Sequence, residues 1–64
     1  MEEKTIKTLM GKLRQPIHID YISKYILKLS IEETHKIINK LVEDNIIEES
    51  NYAKEYYVVK NIQN

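Results

Sequence analysis

The sequence has no cysteine, tryptophan or phenylalanine, and it has only one glycine and one proline. The absence of cysteine excludes a disulfide scaffold and a cysteine-based zinc site, and two histidines are too few to hold a structural metal. A single glycine leaves no room for a glycine-rich phosphate-binding loop. Apolar runs are only a few residues long. They are too short for a membrane-spanning helix or a signal-peptide core, so we expect a cytoplasmic protein.

The chain also lacks a net charge, because ten basic residues balance ten acidic ones. Proteins dedicated to nucleic-acid binding usually carry a basic excess, so this balance counts against that function. The length of 64 residues suits a single domain, which we assign to the whole chain, 1–64. Nine lysines against one arginine, with 11 isoleucines and five asparagines, indicate an A/T-rich genome. A low-GC bacterium, a phage or a mobile element is the expected source.

The residue pattern contains no arrangement typical of catalysis. There is no cysteine nucleophile, and no histidine stands at a spacing from Ser23, Ser30 or Ser50 that suggests a catalytic pair. The acidic residues lie among polar ones rather than in pairs within apolar surroundings. We therefore expect no enzyme activity, no catalytic residue, no cofactor, no metal and no small-molecule substrate.

Two helices and a short strand are expected in the first half of the chain. Helix one covers about 2–14, with a stripe of apolar residues at helical spacing, and it ends before Pro16. The alternation in 17–19 predicts a short edge strand. Asp20 is the expected N-cap of helix two, at about 20–28. The expected inward-facing residues are Ile6, Leu9, Met10 and Leu13 in helix one, and Ile22, Tyr25, Ile26 and Leu29 in helix two.

Helix three is expected at about 30–44. Ser30 followed by Glu33 is a capping box, and Asn45 stands where a helix ends in left-handed geometry. The inward-facing residues of this helix are Thr34, Ile37, Ile38 and Leu41.

A β-hairpin is expected at about 46–60, with a turn around Asn51. Tyr57 and Val59 are expected to face the core and Tyr56 and Val58 the other side, although a slip of one residue would exchange the faces. The tail 61–64 is expected to fray.

These elements predict an α+β, mainly helical fold of three helices, a C-terminal hairpin and a short edge strand. The stretch 19–60 resembles a winged helix-turn-helix domain. Leu29-Ser30 is similar to that family's turn into the recognition helix. KLVEDNIIEES (40–50) resembles the end of that helix and the start of the wing, with Asn45 replacing the usual glycine. EYYVVK (55–60) resembles the returning wing strand.

The resemblance implies binding to DNA or to protein, because winged helices serve both functions. In DNA-binding members the third helix enters the major groove, which would make this chain a small transcriptional regulator that binds duplex DNA. Asn39 can bond adenine at two positions, and Lys36 or Lys40 can reach guanine or phosphate. Lysines of helix one are further candidates for phosphate contacts. The candidate DNA-binding residues are His35, Lys36, Asn39, Lys40 and, at the wing tip, Lys54.

The alternative is a protein-binding adaptor subunit of a larger DNA-transacting or phage-derived assembly. Glu32 stands four residues before Lys36, and Lys40 four before Asp44, so both pairs are typical of ion pairs on a solvated helix face. The segment 30–44 contains two lysines and four acids, which opposes phosphate binding.

Two surfaces are candidates for a homodimer contact or a larger protein partner. Tyr52, Tyr56 and Val58 are expected to form an exposed apolar strip, which is unusual on a free monomer. Gly11, on the outer face of helix one, is either a tolerated weak point of that helix or a position where another chain can approach closely. A domain of this length without disulfides or metals is marginally stable alone, so we expect a dimer or a partner.

Overall fold

The computed structural model describes residues 3–60. They form three helices and a three-stranded antiparallel sheet, which confirms the α+β, mainly helical class. The expected start of helix one at residue 2 and the expected fraying of 61–64 lie outside the described residues. In chain order the elements are α1 (Glu3–Lys12), β1 (Ile17–His18), α2 (Ile19–Tyr21) continuing directly into a π-helical segment (Ile22–Leu27), α3 (Ile31–Glu43), β2 (Ile47–Glu49) and β3 (Tyr56–Val59).

Helix α1 ends at Lys12, two residues earlier than expected. The Leu13 N–H still donates to the Leu9 carbonyl at 2.8 Å, and both side chains are fully buried. Met10 is 42% exposed, so its expected place in the buried stripe is wrong. It lies about 100° around the helix from Leu9, at the margin of the buried face.

The start of the second helix differs from the expectation at Asp20. The N-cap is His18, whose backbone is extended and whose Nδ1 accepts a hydrogen bond from the Asp20 N–H at 3.0 Å. An imidazole with an unprotonated Nδ1 offers the acceptor that Ser, Thr, Asn or Asp usually supplies. Asp20 lies instead in the first turn, where a carboxylate is favoured by the helix dipole.

The π-helical segment changes which residues of the second helix are buried. Its hydrogen bonds run from residue i to i+5, so each turn holds more residues than an α-helical turn. Tyr25 is 63% exposed and Leu29 42% exposed, so their expected core positions are wrong. Ile26 and Leu27, four and five residues after the start of the segment, pack against the core. This spacing fits the wider turn, whereas the expectation assumed an α-helical period.

A three-residue turn, 28–30, joins the second helix to α3. Lys28 is left-handed, with φ 57° and ψ 47°. The N–H groups of Lys28 and Leu29 both donate to the Ser23 carbonyl. The Ser23 hydroxyl, on a residue that is 5% exposed, donates to the Leu29 carbonyl at 2.7 Å. Ser23 therefore bonds to the first two residues of the turn.

Ser30 caps the start of α3 and Asn45 lies at its end, as predicted, but within residues 3–60 the Glu33 side chain does not make the second bond of the predicted capping box. The Ser30 hydroxyl accepts from the backbone N–H three residues later at 3.1 Å. Asn45 adopts φ 63° after the last turn. Its N–H donates to the Val42 carbonyl at 3.0 Å, and the Ile46 N–H donates to the Leu41 carbonyl at 2.9 Å. This pair of bonds is a Schellman motif, which satisfies carbonyls that the helix leaves unpaired.

Strand β3 is the centre of the sheet, and β1 and β2 are its edges. The predicted edge strand is thus present. Tyr57 and Val59 pack against the core, as expected. Tyr56 lies opposite His18 of β1 and shares the other face with Val58, but both are half-buried, so the expected exposure of the strip is wrong for these two residues. The neighbouring rings and strands cover part of each side chain.

The hairpin turn takes its unusual backbone geometry at Glu55, with φ 64°, and not at Asn51 as expected. The Glu55 N–H donates to the Glu49 Oε2 at 2.7 Å, and the Glu55 carbonyl accepts from the Ile19 N–H at 2.9 Å. Two contacts from outside the turn therefore support the left-handed residue.

The core draws side chains from every helix and from β2. Thr34, Ile38 and Leu41 of α3 are buried and Ile37 is partly buried, which confirms the predicted inner face. Among the described residues, the hydrophobic side chains that are 0–1% exposed are Leu9, Leu13, Ile19, Ile22, Ile38, Leu41 and Ile47.

Candidate nucleic-acid interface

The middle of the outer face of α3 carries the exposed side chains of Lys36, Asn39 and Lys40, and the exposed Glu32 and Glu43 lie on the same face toward the two ends of the helix. They lie opposite the buried side of the helix. Together with Val42 and Glu43, the three central side chains line one shallow depression of about 510 Å³. Three of the five candidate DNA-binding residues are therefore neighbours on one surface.

The other two candidates are placed differently. His35 is half-buried, so less of its ring is available than an outward position predicts. Lys54 is exposed in the hairpin turn, on a different element from α3. The depression on α3 has neither residue in its lining.

Acidic residues of α3 are confined to its two ends. Glu32 and Glu33 lie in the first turn, while Glu43 and the C-cap Asp44 lie at the other end. The central residues 35–41 contain two lysines and no acid. The net charge of segment 30–44 is negative, but its central residues carry a positive charge and an outward-facing amide.

Of the two expected ion pairs on this helix, one is present. Lys40 Nζ lies 3.8 Å from Asp44 Oδ1, with the two side chains 60% and 44% exposed. A pair this exposed contributes at most about 1 kcal/mol. Glu32 and Lys36 form no ion pair within the described residues. Lys36 and Lys40 can thus turn toward an anion at little cost.

The strip proposed as a partner surface has one strongly exposed member. Tyr52 is 73% exposed, and its ring meets the half-buried Tyr56 edge-on with centroids 5.0 Å apart. Val58 lines a separate depression of about 480 Å³ that includes Met10 of α1. Gly11 is exposed, and a methyl group at its α-carbon would have no atom within 4 Å.

Sequence reasoning missed a second aromatic cluster and its link to the first. Tyr21 and Tyr25 are 53% and 63% exposed, with ring centroids 4.8 Å apart. Their spacing of four residues on a helix was the available signal. His18 contacts Tyr56 edge-on, with centroids 5.1 Å apart, because β1 pairs with β3 in this register. No local pattern indicates that pairing.

Within residues 3–60, no helix is long and apolar enough to cross a membrane.

Comparison with protein-family models, with curated proteins and with solved structures found no match to this chain in any of the three.

Proposed function

We propose that the chain is a winged helix-turn-helix domain that binds duplex DNA, with α3 as the recognition helix and the β2–β3 hairpin as the wing. The order of the elements, the three-residue turn before α3 and the sheet order β1-β3-β2 are consistent with this fold. The role of a small transcriptional regulator is part of the proposal.

The observation that carries the proposal is the central outer face of α3. The helix has 13 residues and is therefore about 20 Å long, and it is capped at both ends. A helix fits the major groove, which is about 12 Å wide. Asn39 offers the donor and acceptor that adenine requires, and Lys36 and Lys40 offer donors to guanine or to phosphate.

The neutral charge of the chain limits how strong this binding can be. Each phosphate neutralised contributes a slope of about −0.9 to the dependence of log affinity on log salt concentration. Lys36, Lys40 and Lys54 supply no more than about three such contacts. We therefore expect a modest affinity that decreases with salt, with a slope of about −2 to −3.

The first prediction tests α3 directly. Lys36→Ala combined with Lys40→Ala is expected to weaken binding to a random duplex and to reduce the salt slope by about 2, because two phosphate or base contacts are lost. Fluorescence anisotropy with a labelled duplex at several salt concentrations measures both quantities. Glu32→Gln is expected to strengthen binding, since it removes a negative charge from the same helix.

The matched control removes the same charge from another helix. Lys24 lies in the second helix and Lys28 just after it; both are exposed and neither is a candidate phosphate contact, so Lys24→Ala combined with Lys28→Ala should leave the fold intact. An equal loss of affinity in both double variants would mean that binding is diffuse and would contradict a recognition role for α3. The absence of duplex binding by the unmodified chain at low salt would contradict the proposed function as a whole.

A further inference from the structure

Five aromatic rings lie in two neighbouring clusters on a surface that the DNA proposal does not use. Tyr25 contacts Tyr21, Tyr56 contacts both His18 and Tyr52, and the centroid distances are 4.8–5.1 Å. We call this surface the aromatic belt; its residues are His18, Tyr21, Tyr25, Tyr52 and Tyr56.

One depression joins the two halves of the belt. It has a volume of about 330 Å³ and is lined by Tyr21, Tyr56 and His18. Its remaining lining is Gln15, Pro16 and Ile17, so the wall between the rings is largely apolar. This volume is at the lower end of the range for small-ligand sites, which suits a few residues of an extended peptide rather than a large cofactor.

Two exposed carboxylates border the belt at His18. Asp20 Oδ2 and Glu55 Oε1 each lie 3.8 Å from a ring nitrogen of His18, and their side chains are 67% and 51% exposed. Neither Asp20 nor Glu55 forms an ion pair with a lysine or an arginine within residues 3–60. A ligand at the belt therefore meets apolar rings with two uncompensated carboxylates beside them.

We propose that the aromatic belt binds a proline-rich peptide with an arginine or lysine beside the prolines. Tyrosine-lined grooves recognise polyproline II segments, whose extended shape is largely formed before binding and costs little entropy. Asp20 and Glu55 would pair with the basic side chain, and a guanidinium can also lie over a tyrosine ring. The same carboxylates disfavour a phosphate-bearing ligand, which distinguishes this surface from the centre of α3.

The probe is a synthetic peptide of Pro-x-x-Pro repeats with one arginine at its end, and a second peptide has glutamate in place of the arginine. Backbone amide NMR of the full chain is expected to show saturable shifts confined to the belt, with the arginine peptide binding about tenfold more tightly. Tenfold corresponds to about 1.4 kcal/mol. Asp20→Asn combined with Glu55→Gln is expected to abolish the difference between the two peptides.

Tyr21→Ala is expected to weaken the arginine peptide about tenfold, because it removes one wall of the depression. Met10→Ala is the matched control, since Met10 is also a partly exposed apolar residue, 42% exposed, and does not line the depression. Tyr21 is exposed, so Tyr21→Ala should still give the dispersed NMR spectrum of a folded protein.

Three results would overturn the proposal. The first is an absence of saturable shifts at about 1 mM peptide. The second is competition by a single-stranded oligonucleotide for the same residues. The third is a set of shifts at the belt that depend on the concentration of the protein alone, without peptide. The last result would assign the belt to a second copy of the protein. Lys36→Ala combined with Lys40→Ala should leave peptide binding unchanged, so failure of the DNA proposal would be seen separately.

Discussion

Thr34 carries a buried hydroxyl that has no hydrogen-bond partner within residues 3–60. The residue is 0% exposed on the inner face of α3. An unpaired polar atom in such a place costs about 1–3 kcal/mol, because water has been removed and nothing replaces it. At the scale of single residues, this is the clearest site where the sequence is not optimal for stability.

Thr34→Val is therefore expected to stabilise the domain by about 1 kcal/mol, since valine keeps the shape and removes the hydroxyl. For a domain of this size the midpoint of thermal unfolding should rise by about 4–8 °C. Thr34→Ser is the control, because it keeps the hydroxyl and loses the methyl group, and it should lower the midpoint. A lower midpoint for Thr34→Val as well would show that the hydroxyl is bonded in solution.

Tyr57 gives a second prediction at the scale of residues. Burial raises the pKa of its phenol above the ordinary value of 10.0, and the carboxylates of Glu49 and Glu55 raise it further. The folded state thus favours the neutral phenol. The contribution of the neutral Tyr57 phenol to the stability of the fold is complete below pH 10. It is lost as the pH rises through the pKa that Tyr57 has in the folded state.

Glu49→Gln is expected to lower the Tyr57 pKa only in part, because burial is the larger cause and remains. The amide oxygen can still accept the hydrogen bond from the Glu55 N–H, so the turn is preserved. Titration of tyrosinate absorbance above pH 10 measures the change, and Tyr57→Phe identifies which of the five tyrosines is responsible. An unchanged pKa in Glu49→Gln would mean that the carboxylate has no effect.

At the scale of elements, the turn between the second helix and α3 holds a residue in unfavourable geometry. Lys28 has φ 57°, and a left-handed backbone costs a residue with a β-carbon about 1–2 kcal/mol. Asn45 and Glu55 share this geometry, but asparagine tolerates it better, and Glu55 is held by two neighbouring contacts. Lys28 is exposed and belongs to neither proposed binding surface.

Lys28→Gly is expected to stabilise the domain by about 1 kcal/mol, because glycine adopts positive φ without steric cost. Chemical denaturation measures the change in the free energy of unfolding. Lys24→Gly is the control: Lys24 is also exposed but lies inside the π-helical segment, where glycine should destabilise by about 1 kcal/mol. Destabilisation by both variants would show that the left-handed turn is not a source of strain.

At the scale of the whole molecule, the neutral chain places its charges unevenly. The centre of α3 presents lysine and asparagine, while the aromatic belt is bordered by Asp20 and Glu55. The net charge of zero, from ten basic and ten acidic residues, therefore does not give the local charge of either surface. The two proposed ligands, duplex DNA and a basic proline-rich peptide, have opposite charges and are assigned to different main surfaces, the centre of α3 and the aromatic belt.

The sequence by itself determined the features that depend on near neighbours along the chain. Ser30 and Asn45 cap α3 because each acts on backbone groups within a few residues. The inner face of α3, with Ile38 and Leu41, follows from a regular helical period. Strand β3, with its run of tyrosine and valine, follows from local preference and a buried face.

Only the tertiary structure decided the features that depend on contacts between distant segments. The pairing of β1 with β3 brings His18 against Tyr56. The change from α- to π-helical turns moves Tyr25 to the surface, where it extends the belt. His18 caps the second helix in place of Asp20, although both residues carry an acceptor. A periodicity argument assumes one regular helix and isolated strands, so it cannot anticipate a shifted helical turn or a register set by packing.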